Sequence, residues 1–257
     1  MIEDSARTTT THRGPWYAEG RWTHLAPILG ILAVVLWLAG VILVESGSNS
    51  PNSDATGEQI VQYFEENAVK LILGGLVFAV GSALFIAFLA HLRARLEEAR
   101  DRTHAGDRGY PSPLGTTFFT TGVATVLFAS AAFAPQIAGA ITADETDGVT
   151  MAPGSAETFW NLGDGFFVLA QAMLFVFFLS AALAFLRSRF LPSWLGWVSL
   201  ALGMLAVIAP IGWAALVFGV PLWTLAVAAF MWVRSRGRDD RMAPPAERTT
   251  TTTRTVT

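Results

Sequence analysis

From Phe190 to Val233 the chain carries no charged residue, a run of 44 positions. A helix rises about 1.5 Å per residue and the hydrocarbon core of a bilayer is about 30 Å thick, so one crossing takes roughly 20 apolar residues. The run is too long for one crossing and long enough for two, joined by a tight turn near Ala209, Pro210, Ile211 and Gly212. Four more uncharged runs are each long enough for one crossing: Leu25 to Val44, Leu71 to Ala90, Leu114 to Ile141 and Phe166 to Leu186. The expected fold is all-α, a six-transmembrane-helix bundle with spans at about 25–44, 71–91, 114–136, 164–186, 192–210 and 213–233. Pro221 either kinks the last span or marks its true start after a short re-entrant stretch. Composition agrees, with 53% hydrophobic and 14% charged residues, where a soluble domain is about a quarter charged.

A formal net charge of −3 hides a partition of sign along the chain. Sixteen of the seventeen Lys and Arg residues fall in the N-terminal segment, the second and fourth loops and the C-terminal tail; only Lys70 lies in an alternate loop. Ten acidic residues share its side, among them Glu45, Glu58, Glu65, Glu66, Glu157 and Asp164. Positively charged segments resist translocation. The pattern therefore predicts N- and C-termini that are both cytoplasmic, two acidic loops facing outward and an even number of spans. Trp22, Trp194, Trp197 and Trp232 fall at expected inner ends and Trp160 at an outer end, as indole rings prefer the headgroup region. Trp37, Trp213 and Trp223 do not fit that rule and are assigned to lipid or to neighbouring helices.

Outside the spans, residues 1–24 and 235–257 read as disordered: Thr8–Thr11 at the start, and a basic, Thr-rich tail with Pro244 and Pro245 at the end. The tail is a solvated positive flank or, alternatively, a ligand for anionic lipid headgroups. The first apolar run begins too late and is too long for a cleaved signal peptide. In the first outer loop, Thr56 and Gln59 form a capping-box pattern. Ile60, Val61, Phe64 and Ala68 follow at helical spacing, so an amphipathic helix is expected to lie along the interface, or else to lid an outward cavity. The segment from about Thr142 to Thr158 reads as irregular and acidic.

Nothing in the chain spells out chemistry. There is no cysteine, and His12, His24, His91 and His104 do not pair at metal-ligand spacing. No zinc-hydrolase, serine-hydrolase, phosphate-loop or dinucleotide pattern occurs, and no basic–aromatic interleaving points to nucleic acid. The expectation is no catalytic residue, no metal and no cofactor. Polar groups within a bilayer remain functional candidates. Asn161, Asp164 and Gln171 fall within about 80° on a helix, and Gln136, beside Pro135, sits at a similar depth. These four are the candidate ligand vestibule, between spans three and four. The plainer reading has Asn161 and Asp164 capping span four and Gln171 hydrogen-bonding a neighbouring helix. The hydroxyls of Thr116, Thr117, Thr120, Thr121 and Thr125 suit helix packing better than a pore. Gly75, Ala79, Ala83 and Ala87 form a small-residue stripe, read as an internal seam in preference to a dimer face.

Two segments, Gly57-Glu58-Gln59-Ile60-Val61-Gln62-Tyr63-Phe64 and Leu186-Arg187-Ser188-Arg189-Phe190-Leu191-Pro192-Ser193-Trp194-Leu195-Gly196, give the chain a resemblance to a bacterial family of six-span membrane proteins catalogued as a domain of unknown function. The resemblance spans roughly Trp22 to Arg234 and implies six helices in a bacterial cytoplasmic membrane. It implies no activity and no binding residues. The second segment also has a local explanation: arginines stop transfer, Pro192 suits a first helical turn, and Trp194 and Trp197 anchor at the interface. The sequence thus favours a multi-pass, non-catalytic membrane or accessory component, in contact with the lipid bilayer and with a possible protein partner or homo-oligomer. The alternative is a small-solute or ion carrier or channel, and a membrane enzyme ranks third.

Overall fold

The computed structural model describes residues 22–47, 50–52, 54–103, 112–145, 151–188 and 190–242. The segments expected to be disordered lie largely outside this range, as do His12 and His104. Among the described residues every regular element is helical. They are α1 (Trp22–Glu45), α2 (Gly57–Thr103), α3 (Pro113–Ala131), α4 (Phe133–Glu145), α5 (Pro153–Ser188), α6 (Ser193–Val207), α7 (Ala209–Ala214), a π-helical turn (Ala215–Gly219) and α8 (Val220–Met242). Five helical stretches are long and apolar enough to cross a membrane, with α3 and α4 counted together; α6, at 15 residues, is the shorter sixth. At about 22 Å, α6 falls below the hydrocarbon thickness.

The helices outrun the apolar runs that announced them. α2 has 47 residues and is about 70 Å long, so it projects beyond a bilayer at both ends. Its first turn carries the capping box: Gln59 Oε1 accepts from the Thr56 N–H at 2.9 Å, and the Gln59 N–H points back to Thr56 Oγ1 at 3.5 Å. The amphipathic segment expected to lie along the interface is instead the first part of this one helix. Its apolar side chains Ile60, Val61, Phe64 and Ala68 are buried in protein together with Ala140, Met151 and Ala156. At the other end Arg93, Arg95 and Arg100, expected in a loop, are helical. Arg93 pairs with Glu97 at 2.9 Å, donates to Thr116 Oγ1 at 3.1 Å and lies over the Phe119 ring, which fastens the extension to α3. The expected irregular loop from Thr142 to Thr158 is also shorter, since α4 runs to Glu145 and α5 starts at Pro153. α8 likewise continues to Met242, into the expected tail.

Neighbouring passes meet where side chains are smallest. A Cβ on Gly40 would stand 2.7 Å from the Gly74 carbonyl oxygen, and one on Gly81 3.0 Å from that of Ala33, so α1 and α2 touch backbone to backbone. This is the close approach that small residues allow in membranes. Gly122 of α3 receives Phe177 of α5, and Gly203 of α6 receives Phe178. Of the stripe on α2, only Gly75 is an internal seam, facing Ile137 and Phe133; Ala79, Ala83 and Ala87 are exposed.

Two tryptophans assigned to lipid or neighbouring helices are core residues. Trp37 donates to Ser82 Oγ at 3.0 Å, Ser130 reaches the same oxygen at 2.9 Å, and Ser82 in turn donates to the Phe78 carbonyl. Trp223 donates to Ser199 Oγ at 2.9 Å. Each pair satisfies an indole N–H that would otherwise be stranded in an apolar interior. The threonines of α3 hydrogen-bond their own helix: Thr117, Thr121 and Thr125 each donate to the carbonyl four residues back.

Two breaks interrupt the helical passes. Pro135 has no N–H for the Ala131 carbonyl, and its ring crowds that oxygen; α3 gives way to α4 at Ala132. In the last pass Ile208 is extended, with φ −82° and ψ 99°, and ends α6. Pro221 then stands four residues after Val217, inside the π turn, where the Val220 N–H bonds the Ala215 carbonyl five residues back. Pro221 neither starts nor visibly ends the helix, because the π turn absorbs its missing donor.

Candidate functional site

Buried side chains form two clusters. The larger holds Phe85, Phe88, Phe118, Phe177, Phe185 and Trp223 among others and lies toward the end of the bundle that carries Arg93 and Arg187. The smaller, with Tyr63, Phe64 and Ala140, lies at the opposite end, where Glu58, Glu65 and Glu157 are found. Between them is a cavity of about 570 Å³ whose walls include Trp37, Val126 and Val220 of the first cluster and Val44 and Tyr63 of the second.

The walls come from every pass except α6. From α1 come Trp37, Val41 and Glu45, and from α2 Tyr63 and Phe78. The α3–α4 junction gives Thr125, Ala129, Phe133 and Gln136, and α5 gives Trp160, Asp164 and Phe167. The last pass closes the space with Trp213, Phe218 and Pro221, the stretch held off the helical line by the π turn. Rings of the wall support one another: Phe78 lies 4.9 Å from Phe133, and Trp160 meets Tyr63 edge-on at 5.9 Å. Leu38 and Ile42 of α1 and Trp213 and Phe218 of the last pass line the cavity and are also exposed, at 47%, 64%, 51% and 55%. The cavity therefore opens sideways between these two passes, through an apolar surface.

Its polar groups are few and of one sign. Glu45 and Asp164 are carboxylates, and Gln136, Ser50, Thr125 and the Tyr63 hydroxyl are neutral; among the described residues no Lys, Arg or His lines the space. Lys70, on the neighbouring face of α2, is held by the Ser46 carbonyl at 3.1 Å. The Tyr63 hydroxyl faces Ser50 and lies close enough to feel the charge of Glu45. Gly163 brings α5 against the α3–α4 junction, since a Cβ there would stand 2.8 Å from the Ala132 carbonyl and 3.4 Å from Gln136 Nε2. Gln136 and Asp164 both line the cavity at this approach.

Of the four residues singled out from the sequence, Gln136 and Asp164 thus share the cavity, and Asn161 and Gln171 are not among its lining residues. Asn161 is exposed on α5. Gln171, two turns along α5 from Asp164, packs against α7, its Oε1 3.1 Å from where a Cβ on Gly212 would be. Asn161 and Asp164 do not cap α5, which begins at Pro153. Sequence reasoning missed Glu45, Tyr63, Trp37 and the last-pass residues as wall elements. The one available signal was the carboxylate of Glu45 closing an apolar run. Among the described residues no group of three or more His, Asp or Glu is placed to hold a metal ion. No family model matches the chain, and neither does any curated protein or solved structure.

Proposed function

We propose that the chain is a multi-pass membrane protein of a bacterial cytoplasmic membrane, with six crossings and both termini cytoplasmic, and that it works without catalysis by holding a small molecule in its cavity. The single observation that carries this reading is the cavity itself. It has the size of a small-molecule pocket, largely apolar walls and a lateral opening on an apolar surface. The sixth crossing is α6, whose short length is made up by local bilayer thinning and by Trp194 and Trp197, 47% and 61% exposed, at its start. Orientation rests on the arginine partition. On this naturally cysteine-free chain, Glu157→Cys should react with an impermeant maleimide from outside the cell and Asp101→Cys only after permeabilisation; the reverse pattern refutes the orientation.

The binding reading is tested by native mass spectrometry of the protein released from nanodiscs. A defined non-lipid molecule should be retained and should be lost when Ala129→Leu fills the cavity. A homo-oligomer or a co-purifying protein carrying only lipid would favour an accessory role instead.

A carrier is the second reading, and one observation favours it. The wall formed by Trp213, Phe218 and Pro221 starts after the break at Ile208 and runs through the π turn, elements at which a helix bends readily. Proteoliposomes accumulating the retained molecule would establish transport, and binding without accumulation would exclude it.

A further inference from the structure

Granted that the cavity holds a small molecule, its walls specify the charge of that molecule. We infer that the site takes an amphiphilic organic monocation, an ammonium or phosphonium with apolar substituents, entering sideways between α1 and the last pass. Three observations on the cavity converge. Glu45 and Asp164 both line it, no cationic side chain does, and neither carboxylate forms an ion pair among the described residues. A cationic guest supplies a countercharge to both, whereas an anion would meet two like charges.

Aromatic faces make up much of the remaining wall: Trp37, Phe133, Trp160 and Trp213 among them. Ring faces are negative, and such rings are the usual lining for weakly hydrated organic cations, which give up little solvation on entering. Small metal ions, by contrast, need several oxygen ligands, and the aromatic wall does not supply them. The opening bears on the same choice. Leu38, Ile42, Trp213 and Phe218 are apolar and exposed around it, so a guest arriving there must be soluble in the apolar surroundings as well as charged.

The test uses the full chain in lipid nanodiscs and three probes of similar shape: tetraphenylphosphonium, tetraphenylborate and neutral triphenylphosphine oxide. Saturable binding is read by equilibrium dialysis, with partition into empty nanodiscs subtracted. Tetraphenylphosphonium should bind at least about tenfold more tightly than the other two. Asp164→Asn and Glu45→Gln should each weaken it about tenfold while leaving the neutral probe unchanged, and Asp164→Glu should restore it. Both carboxylates are exposed, so these variants keep the fold.

Equal or tighter binding of the borate or the oxide overturns the inference about charge and leaves the binding cavity standing. So does phosphonium binding that Ala129→Leu abolishes but the two charge substitutions do not. No saturable binding of any probe overturns the inference and the binding reading together.

Discussion

The two halves of the bundle are built from the same kinds of residue and end up differently. Toward the arginine-bearing end, rings interlock: Phe177 stacks on Phe118 at 5.2 Å and meets Trp223 edge-on at 5.3 Å, and Trp223 lies parallel to Phe185 at 5.8 Å. Between this cluster and the acidic end, Trp37, Phe78, Phe133, Trp160 and Trp213 stand around the cavity of about 570 Å³. Aromatic content does not separate the halves; helix continuity does. The packed half is crossed by unbroken stretches of α2, α3 and α5, with Gly122 and Gly203 as sockets for Phe177 and Phe178. The hollow half contains the break at Ala132, the extended Ile208 and the π turn before Pro221. Each interrupts regular helix packing, and rigid rings cannot collapse to fill the gap that is left.

The largest effect that would break this comparison is a matched pair of truncations. Phe177→Ala removes a ring packed on all sides and should cost about 3–5 kcal/mol. Phe133→Ala removes a ring that already borders a void on one side, so it forfeits fewer contacts and should cost about 1–2 kcal/mol. Unfolding titrations in mixed micelles measure both. Equal losses would mean that the two halves are packed alike.

Next come the tryptophan anchors. Ser82→Ala strands the Trp37 N–H and removes the partner of Ser130 as well, and should cost about 1–2 kcal/mol. Ser199→Ala strands only Trp223 and should cost about 1 kcal/mol. The order matters more than the sizes, since Trp37 also lines the cavity. If Ser199→Ala proves the more damaging, Trp37 has a second partner and the cavity wall is stiffer than its packing implies.

Much of the fold was legible in the sequence, and the limits of that legibility have physical causes. Hydropathy locates segments that are comfortable in lipid, so it found α1, the middle of α2 and most of α5. It is blind to helix that continues into water. Glu58, Glu65, Glu66, Arg93 and Arg95 are all good helix formers, and they carry α2 well past the apolar run at both ends. Interfacial preference for tryptophan describes depth and not rotation about the helix axis. Trp37 and Trp223 therefore could not be placed until their serine partners, on other helices, were known. Within the candidate site, a helical wheel put Asn161, Asp164 and Gln171 on one side of α5, but a cavity is made by what faces that side. Gly163 brings α5 against the junction at Ala132, where Gln136 and Asp164 both line the cavity. α1 and the last pass supply Glu45, Trp37 and Trp213, contacts too distant in the chain for any local pattern to register.

A smaller effect probes a surface outside both halves of the comparison. Ala83 is exposed on the α2 stripe, and Ala83→Leu should change stability by less than about 0.5 kcal/mol. A loss of several times that, or a change of oligomeric mass in nanodiscs, would mean that this face is covered by protein and that the hollow half is completed by a second copy.

A pair of deletions separates helix continuity from composition most sharply. A π turn holds one residue more than an α-helical path between the same two ends. Deleting Leu216, inside that turn, lets the last pass close into continuous α-helix without rotating Trp213 or Trp223 about the axis. Stability should then fall by about 3 kcal/mol, the cost of Pro221 standing in continuous α-helix with no donor for the Val217 carbonyl, well short of a failure to fold. Deleting Ala181 from the unbroken α5 instead rotates everything beyond it by about 100°. That takes Phe185 out of its stack on Trp223, so the variant should fail to fold. Thermal unfolding of the two deletions side by side gives the comparison. If removing Leu216 is as damaging as removing Ala181, the π turn is an integral part of the packed structure, and the cavity beside it is held open by packing instead of by a slack residue in the helix.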